Sequence, residues 1–359
     1  AAGILGMVVW KGSREKERRN EAASYFKQGL GRSQSSGGLR EAIGLFDQAL
    51  AIRPDYVEAL LSRGDAECKL GDAKGATDDL ERAVALDPTS ADAWYHLGRA
   101  ASGVPNRLKR SREALQKFLA LAPTHQLAPL AKARLAFLEG DLDAARRLCD
   151  EAEKALGNDE EVHFLRGAIA ADEGDSRQAI EHYSKGLQVR PESWRCLVNR
   201  AGEYKSLGEY DRALADLDRA IQINPDGVEA WANRAFCLID LGRLEEAQQA
   251  IARIESLPPS PKNPAGLIRA QLLEGMKRYD EALSAISAVL SETPLDAGAL
   301  VVRARIQKAL GRLPLAVADA AKAVDASPQD GVARCVYAEL LIDARRWDEA
   351  GKQIEAVLA

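Results

Sequence analysis

Aromatic residues are scarce in this 359-residue chain, where Phe, Trp and Tyr together make up 5%. A chain so poor in aromatic residues and so rich in Ala, Leu, Arg and Glu does not favour a β-sandwich or barrel. Its 46% hydrophobic and 29% charged residues suffice for a buried core. The composition therefore predicts an all-α protein.

Chemistry-bearing residues are also few. The four histidines never form an HExxH motif, and the five cysteines are scattered without a CxxC pair. We therefore expect neither metal nor other cofactor, and we expect the cysteines to be small buried residues. A net charge of −5 gives no field that would steer the chain onto nucleic acid. The cysteines are Cys68, Cys149, Cys196, Cys237 and Cys335, and the histidines are His96, His125, His163 and His182.

The first ten residues, Ala1 to Trp10, are uncharged and mostly apolar, and a charged stretch, Lys11 to Arg19, follows them. Such a run covers about half of the roughly 20 residues that cross a bilayer. It is either the end of a transmembrane helix or a buried N-terminal strand or helix, and the charged stretch favours the first. We predict that residues 1–22 are the end of a membrane anchor with a charged leader. The rest would lie in the cytoplasm or periplasm of a bacterium.

An internal repeat organises the rest of the chain. Prolines or, once, a glycine recur at intervals of 34 or 35 residues, and an alanine or serine stands twelve residues before each. Such a period is typical of repeat architectures, and it predicts about ten units. The recurring sites are Pro54, Pro88, Pro123, Gly157, Pro191, Pro225, Pro259, Pro294 and Pro328.

Each unit is predicted to be helix, turn, helix. Between Val57 and Ser90, the Leu70-Gly71-Asp72 segment breaks an apolar helical pattern, and Pro88 ends the second one. Trp94-Tyr95-His96-Leu97-Gly98 and Gly208-Glu209-Tyr210-Asp211-Arg212-Ala213 carry the clearest motifs. These units resemble the tetratricopeptide repeat family. The resemblance implies a right-handed α-solenoid of about ten repeats over residues 23–359. Four prolines, Pro258, Pro259, Pro261 and Pro264, predict a stiff connector and a bend near 258–264.

Some segments depart from the pattern. The polar, glycine-rich run Gly29 to Gly38 predicts a shortened first helix and a mobile loop. Adjacent carboxylates such as Asp78-Asp79 and Asp216-Asp218 are expected on solvent-facing sides of second helices, without a catalytic role. Because the repeats use nearly all of the chain, we expect no enzyme within it.

In the resembling family, positions two, five, nine and twelve of each first helix line a concave groove. Those positions imply a groove for a peptide or protein partner with apolar anchors and acidic groups. An arginine that recurs at one other position, as in Arg63, Arg200 and Arg303, is instead expected to form an inter-helix ion pair or a solvated ridge. The groove candidates are Leu61, Tyr95, Arg99, Leu130, Arg134, Phe137, Phe164, Arg195, Val198, Lys205, Phe236, Ile239, Val301, Arg305 and Lys308.

The function that these features favour is a non-catalytic protein-interaction scaffold. An alternative is the recruiting or sensory region of a larger membrane-anchored signalling protein, such as a bacterial-type Ser/Thr kinase. A third interpretation is self-association, because the tenth unit ends without a polar capping helix.

Overall fold

A computed structural model describes residues 2–35, 37–104, 107–257 and 265–358, and it describes side chains from residue 15 to residue 357 within those ranges. Over these residues the chain is all-helical, as predicted. Twenty helices follow one another in order: α1 Ala2–Ser33, α2 Leu39–Ile52, α3 Val57–Leu70, α4 Ala73–Leu86, α5 Ala91–Ser102, α6 Leu108–Leu121, α7 Ala128–Leu138, α8 Leu142–Leu156, α9 Glu160–Asp172, α10 Ser176–Val189, α11 Trp194–Ser206, α12 Tyr210–Ile223, α13 Val228–Asp240, α14 Leu244–Ser256, α15 Ala265–Gly275, α16 Tyr279–Glu292, α17 Ala297–Ala309, α18 Leu313–Ala326, α19 Gly331–Asp343 and α20 Trp347–Leu358.

Each odd-numbered helix packs against the even-numbered helix that follows it, so the chain forms ten helix-turn-helix repeats. A small residue in each first helix permits this contact. A Cβ atom added to Gly98 would lie 2.6 Å from Leu115 Cγ, and one added to Gly167 would lie 2.5 Å from Tyr183 Cε1. The predicted small residues therefore act as contact points between the paired helices.

The first repeat corrects the prediction of a shortened helix. Helix α1 continues to Ser33, through Gly29. A Cβ atom on Gly29 would lie 2.5 Å from Phe46 Cε1, so Gly29 is the small contact residue of this repeat. A glycine that looked like a helix breaker is instead required by packing against α2.

The turns between paired helices use the predicted glycines. Gly71 follows α3 with φ of 87°, and the Asp72 side chain then accepts a hydrogen bond from the Gly75 N–H at the start of α4. The glycine allows the left-handed conformation, and the aspartate satisfies a free helix N–H. Lys277 and Arg345 take the same left-handed conformation without being glycine.

In several repeats the recurring arginine forms a largely buried ion pair between helices. Arg200 of α11 donates two hydrogen bonds of 2.7 Å to Asp216 of α12, and a third of 2.8 Å to Ser184 Oγ of α10. Arg303 makes the same two bonds to Asp319, at 2.6 and 2.7 Å. The expected inter-helix ion pair is confirmed. One arginine thus connects its own repeat to the preceding one.

Two expectations about individual residues were wrong. Asp79 and Asp216 are buried, 5% and 4% exposed, because each binds the recurring arginine of its repeat. They do not face solvent. Four cysteines are buried as expected, but Cys335 is exposed.

The chain divides into two compact units, Ala1–Gly227 and Val228–Ala359, which contain α1–α12 and α13–α20. Within the described part, no helix has the length and apolar character needed to cross a bilayer. The predicted anchor lies largely within α1, where side chains before residue 15 are outside the description. The predicted bend at 258–264 is also outside the described residues.

Candidate functional site

The inner face is defined here as positions two, five, nine and twelve of the first helix of each repeat. In the first unit, this face carries most of the predicted groove residues. Their apolar members pack inside the protein: Tyr95, Leu130 and Val198 are buried, and Leu61, Phe137 and Phe164 are half-buried. These side chains therefore contribute mainly to the core.

The three groove arginines of the first unit converge on one carboxylate. Arg195 of α11 lies 2.9 Å from Glu161 of α9, Arg134 of α7 lies 2.9 Å from it, and Arg99 of α5 lies 3.3 Å from it. Arg99 also contacts Asp65 of α3 at 2.6 Å. Five successive first helices thus share one ion-pair network.

We call the set Asp65, Lys69, Arg99, Arg134, Glu161 and Arg195 the inner ion cluster. Lys69 joins it through a 2.6 Å contact with Asp65. The guanidinium of Arg195 also stacks on Phe164, 3.7 Å from the ring centre. The side chains of Arg99, Arg134 and Glu161 are only 6%, 4% and 15% exposed, so the network is largely shielded from water.

The pKa values in this cluster follow from burial and charge. Burial opposes ionisation of Glu161, but Arg195, Arg99 and Arg134 outweigh it and hold its pKa well below the usual range. Asp65 behaves likewise beside Arg99 and Lys69. Burial and the charge of Arg99 lower the pKa of His96 to about 4, so this histidine is neutral at pH 7. The carboxylates of Glu161 and Asp65 are therefore fixed anions.

Contacts between distant repeats close the first unit around this cluster. Trp194, at the start of α11, packs directly on Gly71 at the end of α3. The Asn224 amide donates a 2.7 Å hydrogen bond to the Leu70 carbonyl, and Arg40 donates a 2.6 Å bond to Asn224 Oδ1. The second and sixth repeats are thus joined directly.

The space beside the inner ion cluster is small. A cavity beside the inner ion cluster has a volume of about 10 Å³, which is room for about one water molecule. No extended peptide could enter such a space without opening the unit. The groove residues predicted in α3–α11 are therefore largely occupied by contacts within the chain.

The inner face of the second unit is more accessible. Arg305 of α17 pairs with Glu274 of α15 at 2.9 Å, and their side chains are 43% and 21% exposed. Lys308 of α17 lies 2.8 Å from Asp343 of α19, and both side chains are 39% exposed. These pairs lie at the surface and can exchange partners at low cost.

The other predicted groove residues have mixed environments. Val301 of α17 is buried, whereas Phe236 and Ile239 of α13 are half-buried. Lys205 belongs to α11 of the first unit and is half-exposed. The structure brings Val301, Arg305 and Lys308 onto one helix face.

The sequence analysis missed several residues of the inner face, and four of them show why. Asp65 and Glu161 stand at positions nine and two of their repeats, and they organise the inner ion cluster. Val332 and Ile342 stand at positions two and twelve of α19 and are 65% and 40% exposed. The same register would have found all four had it been applied to acidic residues and to the last repeat.

A larger cavity lies between α14 and α15 of the second unit, away from the inner face. Its volume is about 280 Å³, and Ile251, Leu272 and Met276 line it together with the ion-paired Glu255 and Arg269. Ligand pockets usually occupy about 300–1,000 Å³. This cavity is suited to one side chain rather than to a peptide.

The repeat geometry agrees with known protein families. Residues 204–272 and 269–331 match family models described as tetratricopeptide repeat, and residues 64–101 match a model described as TPR repeat. The chain is a tetratricopeptide repeat protein. Its ten helix pairs agree with this family.

Curated relatives of this tetratricopeptide repeat protein are larger than the chain. Protein O-mannosyl-transferase TMTC3 of Homo sapiens is 28% identical over 62% of the chain and 25% of the relative. Hsp70-Hsp90 organizing protein 3 of Arabidopsis thaliana is 24% identical over 76% of the chain and 46% of the relative. The chain thus spans between a quarter and half of the length of these relatives.

Solved structures show the same fold at low identity. The crystal structure of the APC/C hetero-tetramer Cut9-Hcn1 contains a chain that is 16% identical, with a TM-score of 0.66, and the match covers 88% of this chain and 62% of that one. A tetratricopeptide repeat protein from Parabacteroides merdae is 23% identical, with a TM-score of 0.54 over 65% of this chain and 91% of that one. These matches establish the fold alone.

Proposed function

We propose that this tetratricopeptide repeat protein is a non-catalytic scaffold that binds a protein partner on the inner face of its second unit. The observation that supports this location is the contrast in exposure between the two units. Arg99 and Arg134 are nearly inaccessible in the first unit, whereas Arg305 and Lys308 are about 40% exposed in the second. A partner could contact the second face without breaking a buried network.

The chemistry of that face suggests a partner with basic and apolar side chains. Glu339 and Asp343 of α19 supply acidic groups, and their side chains are 64% and 39% exposed. Val332 and Ile342 expose apolar surface on the same helix. A segment with Lys or Arg beside aliphatic residues would complement it. The sequence analysis expected a partner with acidic groups partly because of Arg99, Arg134 and Arg195. All three arginines bind Glu161, so we now propose a basic partner segment instead.

The relatives support protein binding as a class of function. Two of them are named Hsp70-Hsp90 organizing protein, from Arabidopsis thaliana and Triticum aestivum. We do not propose the terminal-carboxylate clamp known in this family, because the surrounding Lys and Asn set is incomplete. Asn199, beside the inner face, donates its amide to the Arg195 carbonyl of its own helix.

A second proposal is that the repeats are the recruiting region of a larger signalling protein anchored in a membrane. The similarity to a quarter of a human protein named as a transferase supports it, since repeats of this kind occur there as one region of a longer chain. Reading the native gene upstream of residue 1 tests this proposal. A catalytic reading frame would support it, and a short leader would contradict it.

Charge reversal on α19 tests the binding face. Partners are first identified by cross-linking the purified protein in a native lysate, and their segments are then titrated by calorimetry. Glu339→Lys should weaken binding about tenfold, or about 1.4 kcal/mol. Glu349→Lys on α20 makes the same charge change in the same repeat, away from the inner face, and should leave binding unchanged.

Two results would contradict the proposal. One is equal affinity of the Glu339→Lys variant and the unaltered protein. The other is a set of cross-links confined to the first unit. Circular dichroism of both variants verifies that the helices remain intact.

A further inference from the structure

The inner ion cluster carries more positive than negative charge. Lys69, Arg99, Arg134 and Arg195 are cations, whereas Asp65 and Glu161 are the two anions. The adjacent Arg190–Glu160 pair, at 3.3 Å, adds no net charge. Six side chains from five helices therefore leave an excess of two positive charges in a region largely shielded from water.

Hydrogen-bond donors in the cluster are also incompletely used. The Nε–H groups of Arg99 and Arg134 are buried and have no acceptor among the residues that the structure describes. Arg99 and Arg134 are only 7% and 3% exposed. A buried charged donor without an acceptor is costly, so an anion placed here would be strongly favoured.

A small cavity adjoins Arg99, whereas Arg134 lies outside its lining. Lys69, Arg99, Arg190 and Arg195 line the space of about 10 Å³, together with Ser193 and Cys68. Glu160 and Glu161 also line it, so four cations oppose two carboxylates. Because the space is about that of one water molecule, it favours a monatomic ion over phosphate, sulfate or a peptide carboxylate.

We propose that this cavity binds a single halide ion, physiologically chloride, beside Arg99 and Arg195, which already share Glu161 Oε1 as an acceptor. The ion would offset part of the excess charge and would stabilise the closed first unit, because the cavity's lining comes from α3, α5, α9, α11 and the turn before α11. A water molecule would fit equally well, but it could not neutralise charge. This inference is independent of the function proposed for the second unit.

Binding is tested on the full chain with chloride itself. The protein is dialysed into sodium gluconate, and sodium chloride replaces the gluconate at constant ionic strength. The thermal unfolding midpoint should rise and saturate with chloride, because a ligand of the folded state shifts unfolding by mass action. A crystal grown in sodium bromide should show an anomalous peak in the cavity beside Arg99 and Arg195. A midpoint insensitive to chloride, or a bromide-free cavity, would overturn the proposal.

Two variants distinguish a halide site from a merely structural cluster. Arg195→Gln removes a cation from the lining and should weaken chloride binding at least tenfold, as read from the chloride NMR line width. Glu161→Gln removes an anion and should strengthen it. Arg305→Gln, in the second unit, is the matched control and should leave chloride binding unchanged. The site is refuted if Arg195→Gln and Glu161→Gln both lower stability but leave the chloride affinity unchanged. This result counts even if one of the two variants folds poorly.

Discussion

The buried arginine of the sixth repeat offers a sharp test of how the repeats are held together. Replacing Arg200 by methionine keeps the length of the aliphatic side chain but removes the guanidinium. Asp216, whose side chain is 6% exposed, would then lose both 2.7 Å hydrogen bonds from Arg200. Its charge would remain buried, with Arg219 at 4.0 Å as a more distant cation.

The expected cost is large for a single substitution. Breaking a buried ion pair by removing one partner typically costs about 3–5 kcal/mol. Because Arg219 can partly compensate, we expect about 3 kcal/mol. The control is Arg269→Met, at the same repeat position, where Arg269 and Glu255 are 52% and 39% exposed. Exposed pairs contribute about 0–1 kcal/mol, so this variant should change stability little.

Urea unfolding followed by circular dichroism measures the overall loss, and hydrogen exchange locates it. Repeat arrays can unfold in stages, so exchange is needed to show that α11 and α12 are the helices that open. Adding Asp216→Leu to Arg200→Met should recover much of the lost stability, because the buried charge is then gone. If Arg200→Met costs no more than Arg269→Met, the ion pairs do not stabilise the repeats as argued.

Three further predictions concern the turns, pH and thiols. Gly71→Ala should destabilise the first unit more than Gly208→Ala, because both glycines have positive φ but only Gly71 packs against Trp194; calorimetric melting compares them. Burial and the charges of Asp79 and Asp72 raise the pKa of Glu67 to about 8. In the folded protein Glu67 therefore keeps its proton at a pH where the unfolded chain has lost it, so the free energy of unfolding falls as pH rises from about 4.5 to 8. Glu67→Gln should therefore raise the melting midpoint at pH 9 more than at pH 4; an equal effect would contradict the shift. Maleimide should modify Cys335 in the native protein and the other four thiols only after denaturation, as counted by mass spectrometry.

Most of the fold could be predicted because its signals are local. The segment from Val57 to Ser90 contains its own turn glycine and terminal proline, and α3 and α4 begin and end close to those residues. The prediction for the first repeat was wrong because the deciding contact is not local in sequence. Gly29 resembles a helix breaker in isolation, and only its contact with Phe46 explains why the helix continues.

The recurring arginines were easier to find than their partners. Their spacing indicated a shared role, but the bound carboxylate lies on the following helix. Whether Asp79 or Asp216 faces solvent depends on the rotation of the second helix against the first. A short stretch of sequence does not determine that rotation, so both residues were placed on the wrong face.

The inner face shows where a local register stops being informative. Arg99 and Arg305 occupy the same ninth position, yet Arg99 is buried on Glu161 and Arg305 remains exposed beside Glu274. The difference arises because α3 and α11 contact each other, and that contact depends on small angles summed over the three intervening repeats. A charged residue on the inner face is therefore a candidate for partner binding only if the surrounding repeats do not bury it against one another. By that criterion the search for a partner begins on α17 and α19.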